Sequence, residues 1–168
     1  MQFLCADYLT DSISQQVSEV AKSVVNQRNI FLLGKGNNFM VANIGALNIK
    51  EASYVHAEGF SAGELKHGVI ALIDEGLPVI SIVDNDEYRD DMIAATAEVK
   101  ARGAYVIGLG VQNNDLFDLF LPLPTQSGIE PALLVNIIPC QLLAYHLAVL
   151  RGINPDRPRN LAKSVTVI

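Results

Sequence analysis

The sequence has few of the residues that build cross-links. It contains two cysteines, Cys5 and Cys140, which lie far apart and form no CxxC or Cys/His pattern. This spacing fits neither a zinc ligand set nor a disulfide framework. We expect two reduced thiols, with Cys140 in a core helix, no metal site and no cofactor.

Charged residues are also scarce, at 18% of the 168 residues, and lysine and arginine form no run. The formal net charge is -6. A phosphate backbone requires clustered positive charge, so we expect no nucleic acid partner. Half of the residues are hydrophobic, which is enough for one buried core. A small domain with so many hydrophobic residues is expected to bury part of its surface against another subunit or domain.

Long hydrophobic runs of the kind that cross membranes are absent. Residues 1–11 contain acids and no apolar run, so we do not expect a signal peptide. The most apolar segment, residues 131–150, is interrupted by Asn136 and Gln141, which favours a buried helix over a membrane span. A cytoplasmic protein without a membrane partner is predicted.

Short apolar runs alternate with helical patterns along the chain. Strands are predicted at residues 29–33, 78–83, 104–109 and 119–123, and helices at 9–26, 39–54, 87–102 and 131–152. This alternation predicts a parallel sheet with helices on both faces. The fold class is therefore α/β, a three-layer αβα sandwich with a flavodoxin-like parallel sheet, whose ligands bind at the carboxyl ends of the strands.

This pattern divides the chain into three parts. Residues 1–28 form a lead-in helix, residues 29–152 the α/β domain, and residues 153–168 a C-terminal tail. The tail has no core pattern of its own, so we expect it to lie across another part of the molecule.

Two turns follow predicted strands. Gly34-Lys35-Gly36 can hold an anion at a helix N-terminus, which makes Gly34 and Gly36 candidate substrate-binding residues. The motif is neither a complete GxGxxG nor a Walker motif, and a tight strand–helix turn also explains it. The second turn contains Asp84 and Asp86, whose carboxylates repel phosphate. We therefore expect the phosphate of any sugar phosphate to be held elsewhere.

Other candidate residues are ambiguous on spacing alone. Asn48 and Glu51 share one helix face, and a solvent-exposed role would explain Glu51 equally well. Residues 58–68 are rich in glycine and charge and include His67, which predicts an irregular functional loop. His56 has an apolar helical context and is predicted in the core or an interface. Lys163 is either a solubilising residue or a desolvated amine that can form a Schiff base.

Three motifs together resemble the glutamine–fructose-6-phosphate aminotransferases, or glucosamine-6-phosphate synthases. They are KEASYVHAE at residues 50–58, GELKHG at 63–68 and PRNLAKSVTV at 158–167, with QLLAYH at 141–146 as a further match. The resemblance extends from about residue 30 to the end. It covers only the second of that family's two sugar-isomerase (SIS) domains and the tail.

The resemblance implies a role for each matching residue. Lys163 forms an imine with the open-chain ketose, and Glu51 moves a proton between C1 and C2. His67 assists ring opening and reaches the pocket from the neighbouring subunit. Ala162 and Asn48 contact the substrate. The implied activity is the conversion of fructose 6-phosphate into glucosamine 6-phosphate.

The resemblance also implies partners that the chain itself lacks. These are a second copy in a homodimer, a first SIS domain with a phosphate loop, and a glutaminase domain that supplies ammonia. Two positions depart from the family pattern: Asn48 stands where lysine is usual, and Ile168 where glutamate is usual. A non-catalytic sugar-phosphate-binding or assembly module therefore stays open, as does a stand-alone aldose–ketose isomerase.

Overall fold

The computed structural model describes residues 9–123 and 132–161. Its strands are β1 (Asn29–Gly34), β2 (His56–Ser61), β3 (Pro78–Val83), β4 (Tyr105–Gly110) and β5 (Leu119–Pro122). They form one parallel sheet in the order β2-β1-β3-β4-β5. This is the flavodoxin-like order, and the predicted α/β class is confirmed.

Helices cover both faces of the sheet. They are α1 (Asp11–Val24), α2 (Asn37–Ser53), α3 (Arg89–Lys100), α4 (Ala132–Asn136) and α5 (Ile138–Leu150), with two 3-10 helices at Ala62–His67 and Val69–Leu72. One hydrophobic cluster joins α1, α2 and α5 to one face. A second cluster joins α3 and the 3-10 helices to the other face. The molecule therefore has the three predicted layers.

The central strands are apolar because both of their faces are covered. All six residues of β3 are buried, as are the residues of β1 after Asn29. A strand buried on both sides shows a continuous apolar run rather than an alternating one. This run is why the sequence identified β1 and β3 correctly.

The prediction that residues 58–68 form an irregular loop is wrong in its first part. Strand β2 continues to Ser61 at the edge of the sheet, and a 3-10 helix follows. The strand was hidden because an edge strand keeps polar side chains such as Glu58 exposed. The prediction of a core position for His56 is also wrong, since His56 begins β2 and is exposed; its alternative, an interface with another chain, stays a prediction.

The predicted long helix at residues 131–152 is two helices, which meet at Ile137. Pro139 lies in the first turn of α5, where a proline sacrifices no helical hydrogen bond. The proline therefore begins a helix at a point where the periodicity suggested a continuous one.

Cys140 lies buried in α5, and burial raises the pKa of its thiol to about 12. It is a neutral thiol at physiological pH, whereas Cys5 lies outside the described residues. In the part of the chain that the structure describes, no helix has the length and apolar character needed to cross a membrane. No group of three histidine, cysteine or acidic side chains there could hold a metal ion.

His146 links folding stability to pH. Its ring Nε2 lies 3.4 Å from the Ser14 hydroxyl, and burial, aided by the charge of Lys22, lowers its pKa below the ordinary 6.5. A lowered pKa means that the unfolded chain binds the proton more tightly. Stability is therefore fully present above about pH 6.5 and falls as the pH drops toward the folded-state pKa.

We expect the urea concentration at the midpoint of unfolding to decrease when the pH is lowered from 7.5 to 5.5. The decrease should be smaller in His146→Gln. Denaturation followed by circular dichroism at each pH measures this. His67→Gln makes the same chemical change at an exposed histidine and serves as the matched control. Equal slopes for His146→Gln and the unmodified chain would contradict the assignment.

Candidate functional site

Glu51 lies at the edge of the sheet where the strands begin, here called the amino edge. Helix α2 starts after the carboxyl end of β1 and runs back antiparallel to the strands, so its last turn reaches the start of β2. Glu51 is exposed in that turn, and Asn48 lies one turn earlier on the same face. The carboxylate is thus available to a ligand at the amino edge.

The first pocket at this edge, the Asn48 pocket, has a volume of about 310 Å³ and is formed by α2, α5 and the start of the tail. Its lining residues are Asn48, Glu51, Ala52, Gln141, Ala144, Tyr145, Pro155, Pro158 and Leu161. Among the described residues that line the pocket, Glu51 is the only one with a carboxylate. The described lining therefore combines one potential base with apolar walls, two side-chain amides and one hydroxyl.

The second pocket, the His56 pocket, has a volume of about 360 Å³ and is more strongly charged. It is lined by Lys50, Glu51, Tyr54, Val55, His56, Arg159, Asn160 and Leu161. Glu51 and Leu161 line both pockets. The described part of the tail, which ends at Leu161, thus lies beside the glutamate.

Contacts with Tyr54, the residue that follows α2, hold this part of the tail. The backbone N–H of Arg159 donates to the Tyr54 hydroxyl at 2.7 Å. The Arg159 guanidinium lies 4.2 Å from the centroid of the Tyr54 ring. Lys163 and Ala162, both predicted site residues, lie outside the described residues. Leu161, the last described residue, is two positions before Lys163 in the sequence.

The amide of Asn48 has an unusual environment. Its Oδ1 atom is buried and has no hydrogen-bond partner among the described residues. A buried acceptor without a partner carries a desolvation cost, which a bound donor would relieve. Asn48 lines the pocket beside Glu51, so a ligand hydroxyl or amine is the kind of group that could pair with it.

The other predicted residues lie at the opposite, carboxyl edge. Gly34 ends β1 and pairs with Ser61, and His67 follows six residues after Ser61, exposed at the end of a 3-10 helix. Six-residue strands separate the two edges by about 16 Å. The structure therefore does not bring His67 and Glu51 of one chain together.

Gly34 and Gly36 have structural reasons to be glycine. A Cβ on Gly34 would collide with the Asn38 carbonyl oxygen, and Gly36 has a φ of +56° with the Tyr88 ring where its Cβ would be. A tight strand–helix turn therefore accounts for both residues. They do not approach Glu51, so the predicted substrate-binding set is divided between two edges.

The carboxyl edge between β1 and β3 is filled by the protein's own polar groups. Asn136 donates to Asp84 at 2.8 Å and to Asn38 at 3.1 Å, and Asn38 donates to Asp86 at 3.4 Å. Asn38 and Asn136 are buried. This network presents carboxylates where a phosphate site would present N–H donors, and the sequence did not reveal its two asparagines.

Large apolar side chains are exposed on α2 and α5. Leu47 of α2 and Tyr145 and Val149 of α5 are each about half exposed near the Asn48 pocket, whereas the equally exposed Met40 lies in the first turn of α2 at the carboxyl edge. Leu47 is one turn before Glu51, and Tyr145 lines the pocket itself. An exposed apolar patch of this kind is a candidate surface for contact with another protein unit, a ligand or a membrane.

The sequence of residues 23–151 matches the SIS domain family, so the chain belongs to that family. Within that family it is similar to the isomerase part of the isomerizing glutamine–fructose-6-phosphate aminotransferases. The enzyme of Pyrococcus horikoshii is 50% identical over 157 residues, which cover 92% of this chain and 26% of that enzyme. The enzyme of Thermococcus kodakarensis is 45% identical over 155 residues, or 91% of this chain and 26% of that enzyme.

A solved structure supports the same similarity to these aminotransferases. The C-terminal domain of the glucosamine-fructose-6-phosphate aminotransferase of Francisella tularensis is 35% identical, with a TM-score of 0.78. The match covers 88% of this chain and 42% of that one. The chain thus corresponds to a C-terminal SIS domain and spans about a quarter of the length of the curated relatives it matches.

Proposed function

We propose that the chain carries out the reactions at C1 and C2 by which fructose 6-phosphate becomes glucosamine 6-phosphate in the cytoplasm. The observation that supports this best is that Glu51 and the segment leading to Lys163 share two pockets. An imine-assisted proton transfer needs a base near an amine, and Glu51 lies beside the segment that precedes Lys163.

The proposed sequence of steps begins at Lys163. Its amine adds to the C2 carbonyl of the open-chain ketose, and water leaves as the imine forms. Ammonia then displaces the lysine nitrogen at C2. Glu51 takes a proton from C1 and returns it to C2, while the C1 hydroxyl loses its proton to nitrogen and becomes the aldehyde. Nitrogen thus ends on C2 of an aldose phosphate.

Asn48 is proposed to bind the substrate in place of the lysine that the family usually has. Its buried Oδ1 would accept a hydrogen bond from a sugar hydroxyl. Ala162, next to Lys163, is proposed to line the same site. Gly34 and Gly36 are not part of this proposal, since they lie at the other edge of the sheet.

Other protein units complete the proposed site. His67 of a second copy would reach Glu51 in a homodimer and assist ring opening. A first SIS domain would hold the phosphate, which the acidic turn at Asp84 is unsuited to do, and a glutaminase domain would supply ammonia. The exposed apolar residues beside the Asn48 pocket support a covering unit there.

Reductive trapping tests the proposal. With fructose 6-phosphate and borohydride, and with a first SIS domain added in trans, we expect an adduct on Lys163 by mass spectrometry. Lys163→Ala should abolish it because no amine remains to form the imine. Lys66→Ala is the control that should keep the adduct, because Lys66 pairs with Glu98 at 2.8 Å far from Glu51.

Absence of an adduct at Lys163 under these conditions would exclude the catalytic proposal. Calorimetric binding of hexose phosphates that survives both Lys163→Ala and Glu51→Ala would favour a non-catalytic binding module instead.

A further inference from the structure

Helix α2 ends in a backbone conformation that is unusual for the residue that adopts it. Tyr54 has φ 60° and ψ 19°, in the left-handed region, and its N–H donates to the Lys50 carbonyl at 3.1 Å. Glycine is the usual residue at this position because a Cβ is unfavourable there. Backbone strain at an aromatic residue suggests that its side chain has a specific structural or functional role.

The side chain of Tyr54 holds one residue of the tail in two ways. Its hydroxyl accepts the Arg159 backbone N–H at 2.7 Å, and its ring lies 4.2 Å below the Arg159 guanidinium. The first contact fixes the main chain and the second fixes the side chain. We call this pair of residues the tail anchor.

The tail anchor fixes Arg159 at the wall of the His56 pocket. Leu161, two residues beyond Arg159, lines both pockets with Glu51. An extended chain covers at most about 3.5 Å per residue, so covalent geometry alone keeps the Cα of Lys163 within about 14 Å of the anchored residue.

We propose that Tyr54 is a positioning residue that keeps the start of the tail, up to Leu161, beside Glu51. This inference rests on the proposed function for its chemical consequence. Holding two reacting groups close raises their effective concentration, so a loosened anchor lowers the rate of the step they share.

A purely structural role at the helix end predicts something different. Glycine satisfies the left-handed backbone better than tyrosine, so Tyr54→Gly should not lower the midpoint of unfolding through the backbone. Tyr54→Phe keeps the ring and removes only the hydroxyl. The two variants therefore separate the end of the helix from the anchoring of the tail.

Amide hydrogen exchange at Arg159 and borohydride trapping at Lys163 provide the test. In Tyr54→Phe we expect Arg159 to exchange roughly tenfold faster, since a hydrogen bond of this type contributes about that factor. The adduct should form roughly tenfold more slowly at saturating fructose 6-phosphate, with half-saturation unchanged. Tyr54→Gly should show a larger loss in both measurements without a lower midpoint of unfolding.

The same chemical change at Tyr105, which begins β4 and touches neither pocket, is the matched control and should alter neither rate. Unchanged exchange at Arg159 in Tyr54→Phe overturns the anchor, as does a loss of adduct that only follows a loss of stability. If the unmodified chain forms no adduct, the proposed function fails. The exchange rate at Arg159 then still confirms or overturns the anchor itself.

Discussion

Glu51→Gln is expected to slow proton exchange at C1 of fructose 6-phosphate by about 10²- to 10⁴-fold, the usual contribution of a positioned general base. Glutamine keeps the size of the side chain but cannot take the proton. The fold should be unaffected, because Glu51 is exposed and none of the described residues forms an ion pair with it. Deuterium incorporation from heavy water, followed by NMR, measures this step alone.

The same variant should still form the borohydride adduct at Lys163, since imine formation precedes the transfer at C1. Loss of exchange with retention of the adduct would separate the base from the nucleophile. Glu58→Gln is the matched control, because Glu58 is an exposed glutamate of β2 that lines neither pocket. Equal exchange rates in Glu51→Gln and Glu58→Gln would show that Glu51 is not the base.

The fold was predictable because its main signal is local. Buried strands read as apolar runs, and the alternation with helices gave the layers and the sheet type. Strand β2 escaped because its exposed polar residues interrupt the pattern at the sheet edge. The break at Ile137 was not predicted from the sequence. A proline fits the first turn of a helix, so Pro139 alone did not show that a new helix begins there.

The sequence could nominate only individual candidate residues for the site. The family motifs pointed to Glu51 and His67, but only the register of β1 with β2 reveals that these two candidates lie at opposite edges. The Tyr54–Arg159 contact joins residues 105 positions apart, and the Asn38–Asn136 contact joins residues 98 positions apart. No periodicity encodes contacts of that range, so sequence patterns could not supply the tail anchor or the buried asparagines.

The separation of Glu51 and His67 leads to a prediction about dimers. In a two-fold symmetric homodimer each proposed site takes Glu51 from one subunit and His67 from its partner. Homodimers of Glu51→Gln and of His67→Ala should each lose at least about 10²-fold in the deuterium exchange assay. A heterodimer of these two variants contains one fully intact site and one site that lacks both residues.

Co-expression with two affinity tags allows that heterodimer to be purified and assayed with a first SIS domain. We expect about half of the activity of the unmodified dimer, because one of two symmetric sites is intact. The heterodimer of the unmodified chain with the double variant Glu51→Gln, His67→Ala should be nearly inactive, since each of its sites lacks one residue. A site contained in one chain predicts the reverse for both heterodimers, so the pair of measurements decides whether the second copy completes the site.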